Sequence, residues 1–361
     1  MKIVHLDAHV PWRGGQQQVL YLAQYLHTQG YTNVVLCPPH SALYQRAQAA
    51  GVPTGALRMG HELNLLAAWQ LGRYLRRQQV DILHMHEARA HTLGLLAAQG
   101  APAVRLVVSR RVTSPLGHNM LSRWKYSRPH VHYLSVSEAV RQVLLARGIP
   151  IQYAHTVWSG IDTRRCLDVQ PAPSLFPAGT RVLGTVGALT SEKGHNTLLD
   201  ALALLVPREP RMGAVIAGEG PQRARLAAQV ATLDLTAHVC LTGFRDDVLP
   251  LMQSFEIFVF PSYAEGLGTA MLDAMALGKP VVAARSGGIS EVVQDGQTGL
   301  LVPPGDPQAL AEALWYLLQH PEQAQAMGVA GRQRVERYFT VERMARTTLQ
   351  MYQQVLGHDR A

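Results

Sequence analysis

Cysteine is scarce here. There are three in 361 residues, Cys37, Cys166 and Cys240, far apart and without a CxxC pair. That excludes a disulfide framework and leaves the thiols as small buried hydrophobes. Long apolar runs are also missing. Those present, such as Ile257 to Phe260, fall well short of the ~20 residues a spanning helix needs. The start, Met1-Lys2-Ile3-Val4-His5-Leu6-Asp7, meets polar residues too soon for a signal peptide, so a cytoplasmic protein is expected. Acidic residues are few in one half only. Residues 1–170 hold 18 Lys and Arg against 7 Asp and Glu, a balance of +11, while residues 171–361 hold 15 against 18, a balance of −3. An uneven positive field points to an anionic partner: a membrane surface, a phosphorylated acceptor or nucleic acid.

What is present is apolar material, 47% of the chain, laid out in a regular rhythm. A strand reads over Lys2 to Leu6, a Gly14-Gly15 loop follows, and 16–29 has a helical apolar pattern that Gly30 stops. Strands near 33–37, 82–84, 104–109 and 131–136 alternate with helices near 41–50, 63–79, 90–99 and 137–147. Three prolines between 171 and 177 break the rhythm, and 166–179 reads as a linker after a first domain of 1–165. The alternation then restarts over 180–340. Strands are expected near 182–186, 214–217, 238–241, 257–260 and 280–284, and a last helix near 341–355. Strands alternating with helices imply parallel sheets covered on both faces. Such sheets bind ligands beyond the carboxyl ends of their strands.

The most informative stretch is Pro261 to Pro280, PSYAEGLGTAMLDAMALGKP. Glu265 follows a buried strand and lies beside Gly266 and Gly268, which let backbone amides approach a ligand closely. The next helix aims its N-terminus at the same place. Thr269 and Asp273, four apart, share a helix face. A carboxylate there can accept hydrogen bonds from sugar hydroxyls, with amides beside it for anionic oxygens. The plainer alternative is a helix-capping acid.

This segment resembles the acidic E-x7-E motif of the retaining glycosyltransferases of family 4, whose fold is GT-B. The resemblance runs along essentially the whole chain. It includes Gly14-Gly15, Gly160-Ile161-Asp162, Glu192-Lys193-Gly194, Gly218-Glu219-Gly220-Pro221, Gly243-Phe244, Gly287-Gly288-Ile289 with Glu291, and Thr298-Gly299-Leu300-Leu301-Val302-Pro303. It implies two Rossmann-like domains facing across a cleft, with helix 341–361 crossing back to the N-terminal domain. Residues 1–165 would bind the acceptor and 180–340 the nucleotide sugar.

By the same resemblance, Glu265 binds donor hydroxyls, and the amides of Gly266, Leu267, Gly268 and Thr269 hold the sugar and phosphate. Asp273 stands where the family has its second Glu, at the ribose. Lys193 neutralises the diphosphate beside Gly187, Phe244 and Arg245 lie near the base, and Gly14 and Gly15 close over the phosphates. Two positions depart from the pattern. Ala188 occupies the place of an Arg in many relatives, leaving Lys193 alone or aided by Arg245, Arg285 or an N-domain Arg. Ser109-Arg110-Arg111 stands where relatives often carry a His near the reacting sugar, with Arg111 the nearest counterpart and Arg110 the other candidate. The resemblance thus casts Glu265, Lys193 and Arg111 as catalytic.

Histidines 84 and 86 sit at a strand end, and period-2 geometry puts both rings on one face. Two such rings can be metal ligands, but no further ligand pattern completes a site beyond Glu87. No DxD motif exists, and the GT-B resemblance implies no metal and no cofactor; His86 is expected to line the cleft. Two basic-aromatic pieces, helix 63–79 with Trp69 and segment 121–128 with Trp124, suit an anionic lipid surface. For the helix, the plainer expectation is that Trp69 packs on the sheet.

The expected activity is transfer of a sugar, with retention, from a UDP-sugar to a hydroxyl of a glycan or glycolipid acceptor in cell-envelope synthesis. Peripheral contact with an anionic membrane is expected through the basic domain. A nucleic-acid partner is not, because no binding motif supports it. The alternative is a degenerate sugar-nucleotide-binding protein of the same fold, for which Ala188 is the one hint.

Overall fold

A computed structural model of the chain describes residues 1–117 and 119–357. The chain divides into two compact units. One is Met1–Gly160 together with the chain from Val341 onward, and the other is Ile161–Thr340.

The first unit alternates strand and helix: β1 (Lys2–Leu6), α1 (Gly14–Thr28), β2 (Thr32–Cys37), α2 (Ala42–Ala49), β3 (Thr54–Ala56), α3 (Leu65–Arg77), β4 (Ile82–Met85), α4 (Ala88–Ala98), β5 (Arg105–Arg110), α5 (Met120–Tyr126), β6 (Val131–Ser135), α6 (Glu138–Ala146) and β7 (Ala154–Thr156). Its strands form one parallel sheet in the order β3-β2-β1-β4-β5-β6-β7.

The second unit repeats the plan with β8 (Arg181–Val186), α7 (His195–Leu205), β9 (Met212–Ala217), α8 (Arg223–Thr232), β10 (Val239–Gly243), α9 (Val248–Gln253), β11 (Ile257–Phe260), α10 (Thr269–Ala276), β12 (Val281–Ala284), α11 (Ile289–Val292) and β13 (Leu300–Val302). Helices α12 (Pro307–Gln319) and α13 (Pro321–Tyr338) complete it, and α14 (Val341–Gly357) rejoins the first unit. The second sheet is also parallel, in the order β10-β9-β8-β11-β12-β13.

Both orders reverse direction once, between β1 and β4 and between β8 and β11. At these switch points, adjacent loops leave on opposite sides of the sheet and open a crevice beyond the strand ends. Apolar side chains cover both faces of the first sheet. Leu71, Leu75, Leu83, Leu93 and Tyr133 lie in one core cluster. Ile3, Leu22, Leu26, Ile82 and Val107 lie in another, which takes in Met344, Ala345 and Tyr352 of α14. The last four residues of the expected returning helix, 358–361, lie outside the described residues.

Several elements depart from the sequence expectation. The expected linker 166–179 lies in the second unit rather than between the two, tied by the Ala172 amide donating to the Pro250 carbonyl at 2.8 Å. The division falls at Gly160/Ile161 instead. Helix α13 had no expectation because its buried stripe is Ala324, Met327, Gly328, Gly331 and Val335, mostly small residues chosen for close approach. A Cβ on Gly328 would sit 2.1 Å from the Gly278 carbonyl oxygen. Trp69 does not pack on the sheet; it is 56% exposed. Segment 121–128 is largely helix α5, with Trp124 against the core and Lys125 buried and paired with Glu62 at 3.5 Å.

Gly218 ends β9 at φ +150°, and a Cβ there would lie 1.8 Å from the Gly187 carbonyl oxygen. Both the conformation and the space demand glycine. Gly218→Ala is expected to lower unfolding stability by about 2 kcal/mol or more. Urea denaturation checks this, and an unshifted midpoint would refute the packing described.

Candidate functional site

In the second unit the strand ends around the β8–β11 switch point gather most of the expected residues. Lys193 closes a 3₁₀ turn, Ser191–Lys193, after β8, and Glu265 follows β11. Because β8 and β11 are neighbours, the two side chains meet: the Lys193 ammonium donates to Glu265 Oε1. The pair is mostly enclosed, with 23% and 11% of the side chains exposed. The ammonium also lies 5.9 Å from the centroid of the Phe260 ring. At this burial each charge leans on the other for solvation.

Glycines shape the surroundings. Gly194, at φ +66°, lets the chain turn from Lys193 into α7 against the Pro261 carbonyl, 2.0 Å from where a Cβ would be. Gly268, at φ +91°, starts α10 over Phe260. The Glu265 carbonyl accepts from the Gly288 amide at 3.1 Å, joining the loops after β11 and β12. The Tyr263 amide donates to the Glu192 carbonyl at 2.8 Å, joining those after β11 and β8. Gly187 and Gly218 pack together at the ends of β8 and β9.

Helix starts add a second feature. In the first unit α2, α3, α4, α5 and α6 each begin under a side-chain cap from Ser41, Asn64, Glu87, Asn119 and Ser137; α1, starting at Gly14-Gly15, does not. In the second unit α7, α8, α9, α10 and α11 all begin without one, whereas α12 is capped by Asp306. A cap is worth about 1 kcal/mol, so its omission at the loops beyond the strand ends leaves amides and dipoles able to take anionic oxygens.

Asp273 lies on the α10 face shared with Thr269. Burial pushes its carboxyl up to about 7, against the opposing charge of Arg165. Phe244, 66% exposed, follows the left-handed Gly243, and Arg245 is held by Asp247. Arg285 is likewise held by Asp295. Each arginine of the second unit expected to replace the one missing at Ala188 therefore already has a carboxylate partner.

In the first unit the β1–β4 switch point gathers a polar network that the sequence only partly indicated. His5 on β1 is in register with His84 on β4, and the period of two adds His86 to the same face. His5 Nδ1 and His86 Nε2 are 3.1 Å apart, and the His84 and His86 rings lie 3.9 Å apart. His84 bonds Tyr352 of α14 through Nδ1 and Ser109 through Nε2, at 2.5 and 2.8 Å. Burial holds His5 near 3 and His84 and His86 well below the usual histidine range, so all three are neutral.

One ligand nitrogen from each lies within 4.8 Å of the others, a spacing that fits a metal ion. Both nitrogens of His84 are already engaged, however. The Arg111 guanidinium also acts on His84 and His86 and opposes a further cation.

Arg111 lies against Gly15, its Cδ 3.6 Å from where a Cβ would stand, with Nε shielded and unpaired. Burial lowers it to about 10, while Asp7 and Tyr352 oppose that shift. Asp7 accepts from the Gln16 amide at 3.0 and 3.1 Å and from the His9 backbone at 2.9 Å. Arg110 points the other way, to Tyr126 and the Ser114 carbonyl. Of the two candidates, Arg111 is therefore the one that joins Gly15. His86 is 4% exposed, enclosed by His5 and His84. Asp7, Gln16 and Tyr352 were missed. The signal was polar alternation inside an apolar strand, His5-Leu6-Asp7, matching His84-Met85-His86.

Residues 12–165 match the family described as Glycosyltransferase Family 4, and residues 168–334 match Glycosyl transferases group 1. The chain belongs to glycosyltransferase family 4. It is 28% identical to EpsD of Bacillus subtilis over 308 residues, covering 78% of this chain and 80% of that one. It is 30% identical to the D-rhamnosyltransferase WbpZ of Pseudomonas aeruginosa, over 65% of this chain and 61% of that one. It is also 30% identical to the lipopolysaccharide core mannosyltransferase LpsB of Rhizobium meliloti, over 55% and 60%. Among solved structures, Anabaena HepE in complex with UDP-glucose aligns with a TM-score of 0.86, at 22% identity, over 98% of this chain and all of that one. The family member thus has the GT-B fold, two parallel-sheet Rossmann-like domains.

The half-buried Asp273 carboxyl, set deep enough to be desolvated, gives a pH signature. Its folded value, about 7, exceeds its ordinary 3.8, so the folded state holds the proton more tightly. Stability from this group therefore falls as pH rises from about 4 to about 7 and is level above that. Asp273→Asn removes the dependence. Denaturant titrations are expected to show the variant gaining on the parent by about 1 kcal/mol or more between pH 4.5 and pH 8. A gap that does not change with pH would contradict this burial.

Proposed function

We propose that this glycosyltransferase moves a sugar from a UDP-sugar to a hydroxyl of a glycan or lipid-linked acceptor, with retention at the anomeric carbon and without a metal. The observation that carries the reading is the enclosed Lys193–Glu265 pair, set among glycine turns and uncapped helix starts. An arriving diphosphate competes for the Lys193 ammonium. That frees the Glu265 carboxylate to accept donor hydroxyls, while amides from Gly266 to Thr269 hold sugar and phosphate. Asp273 takes the ribose, and Phe244 offers an exposed ring to the base. On the acceptor side, Arg111, with Gly14 and Gly15 at the start of α1, binds sugar or phosphate oxygens through its forked donors. His86 supports that edge.

In the reaction, the bond from the anomeric carbon to the phosphate oxygen breaks with its electron pair going to the diphosphate. The acceptor oxygen bonds the same face, and its proton passes to a phosphate oxygen. The chain's contribution is positioning and neutralisation of leaving-group charge. UDP as donor nucleotide is supported by the HepE complex with UDP-glucose. A role in lipopolysaccharide or a related polysaccharide synthesis is supported by the name of LpsB, and we place it on the cytoplasmic side of the membrane.

Glu265→Gln keeps the side chain's shape and removes its charge. Transfer from the UDP-sugar is expected to drop at least ~100-fold, with UDP affinity within a few-fold of the parent. Undiminished turnover would overturn the assignment of Glu265. Parent protein that binds the sugar nucleotide yet transfers to no hydroxyl acceptor would favour a binding protein, consistent with Ala188.

A further inference from the structure

Helix α3 presents an unusual surface. Asn64 caps its start by accepting from the Ala67 amide at 3.0 Å. One face buries Ala67, Ala68, Leu71, Gly72 and Leu75 in the core of the first unit. The opposite face is divided along its length. At the leading end Leu65, Leu66 and Trp69 are 69, 64 and 56% exposed, and Leu63, just before the helix, is 55% exposed. At the trailing end the same face carries Arg73, Arg76 and Arg77. At 100° per residue these six helical side chains fall within one 120° arc. The Arg73 guanidinium lies 5.4 Å over the Trp69 ring, bridging the apolar and basic parts.

A soluble surface rarely gathers four large hydrophobic residues in two turns, and such a patch marks an interaction site. The geometry points to one occupant: the interfacial region of an anionic lipid bilayer. The leucines and Trp69 enter at the acyl boundary, and the three arginines reach headgroup phosphates. Trp at the water–lipid boundary, with basic residues on the adjoining turns, is the composition such helices show. Charge selects this occupant over an apolar protein partner, because residues 1–170 carry a balance of +11.

The other basic-aromatic piece that suits a lipid surface, segment 121–128, is organised differently. In α5, Lys125 is buried against Glu62 and donates to the Ala88 carbonyl, while Arg128 lies over Trp124 at 4.7 Å. Lys125 is thereby spent within the fold.

Its position carries a consequence. Helix α3 follows β3, so its leading turn lies at the carboxyl edge of the first sheet, the edge that also holds Gly14, Gly15 and Arg111. Docking there sets that edge at the bilayer, where an acceptor glycan on a lipid carrier is presented. This consequence rests on the transferase reading; the docking itself does not.

The test is flotation of the full chain with phosphatidylcholine vesicles, with and without phosphatidylglycerol, beside calorimetric titration of UDP. The parent is expected to float with the phosphatidylglycerol vesicles. Leu65→Ser/Leu66→Ser/Trp69→Ser is expected to lose at least ~10-fold in partitioning, because the buried apolar area is gone. Arg73→Gln/Arg76→Gln/Arg77→Gln is expected to weaken flotation and reduce its sensitivity to salt. All substituted side chains are exposed, so the melting temperature and UDP affinity should hold. A parent that stays unbound, or a triple serine variant that floats as the parent does, overturns the proposal. So does a parent that dimerises in solution through this face, with the serine variant monomeric. Loss of UDP binding in the parent instead strikes the transferase reading and leaves the docking result standing.

Discussion

The candidate site depends on one half-buried charge pair. Lys193 and Glu265 come from different loops, 72 positions apart, and meet because β8 and β11 are neighbours at the reversal of the second sheet. Removing either would leave a half-enclosed charge without its partner, a larger effect than the loss of a fully exposed pair. The glycines nearby follow from the same requirement. Gly194 and Gly268 take left-handed conformations so that backbone can pass close to Pro261 and Phe260 and bring the two loops together. In the proposed function this pair satisfies itself until a polyanion offers Lys193 a stronger partner.

The first unit solves a related problem with neutral groups. Three buried imidazoles, Ser109 and Tyr352 form a hydrogen-bonded layer beneath Arg111, with Asp7 balancing the guanidinium electrostatically. Tyr352 comes from the last helix, so the chain's return to the first unit contributes a polar bond as well as the apolar packing of Met344 and Ala345. The packing that completes this sheet also steadies the residues beside Arg111.

Much of this was legible in the sequence, for physical reasons that can be named. Parallel strands buried on both faces read as short apolar runs, so the strands from Lys2, Ile82, Val131 and Ile257 were found close to their bounds. An acid beside glycines at a strand end reads as a ligand loop, as at Glu265, Gly266 and Gly268, while Gly14, Gly187 and Gly218 came with the family resemblance; all of them lie beyond strand ends. Helix α13 was hidden because small residues pack it, and β3, β7 and β13, three residues each, are too short to carry a pattern. The exposure of Trp69 was illegible for a different reason. A helix with apolar residues on two faces does not reveal which face the core takes. The ion pair also lay beyond reach, since pairing of Lys193 with Glu265 needs the strand order and not the strands alone.

In the proposed function the second unit holds a uridine diphosphate sugar through Lys193 and Glu265. Calorimetric titration of UDP, GDP, ADP and CDP into the parent and Lys193→Met, with a chelator in the buffer, tests it most directly. Saturable binding of UDP in preference to the others is expected without divalent metal, with a loss of ~10-fold or more in Lys193→Met. Failure of every nucleotide to bind, or equal UDP affinity in the two proteins, would contradict it.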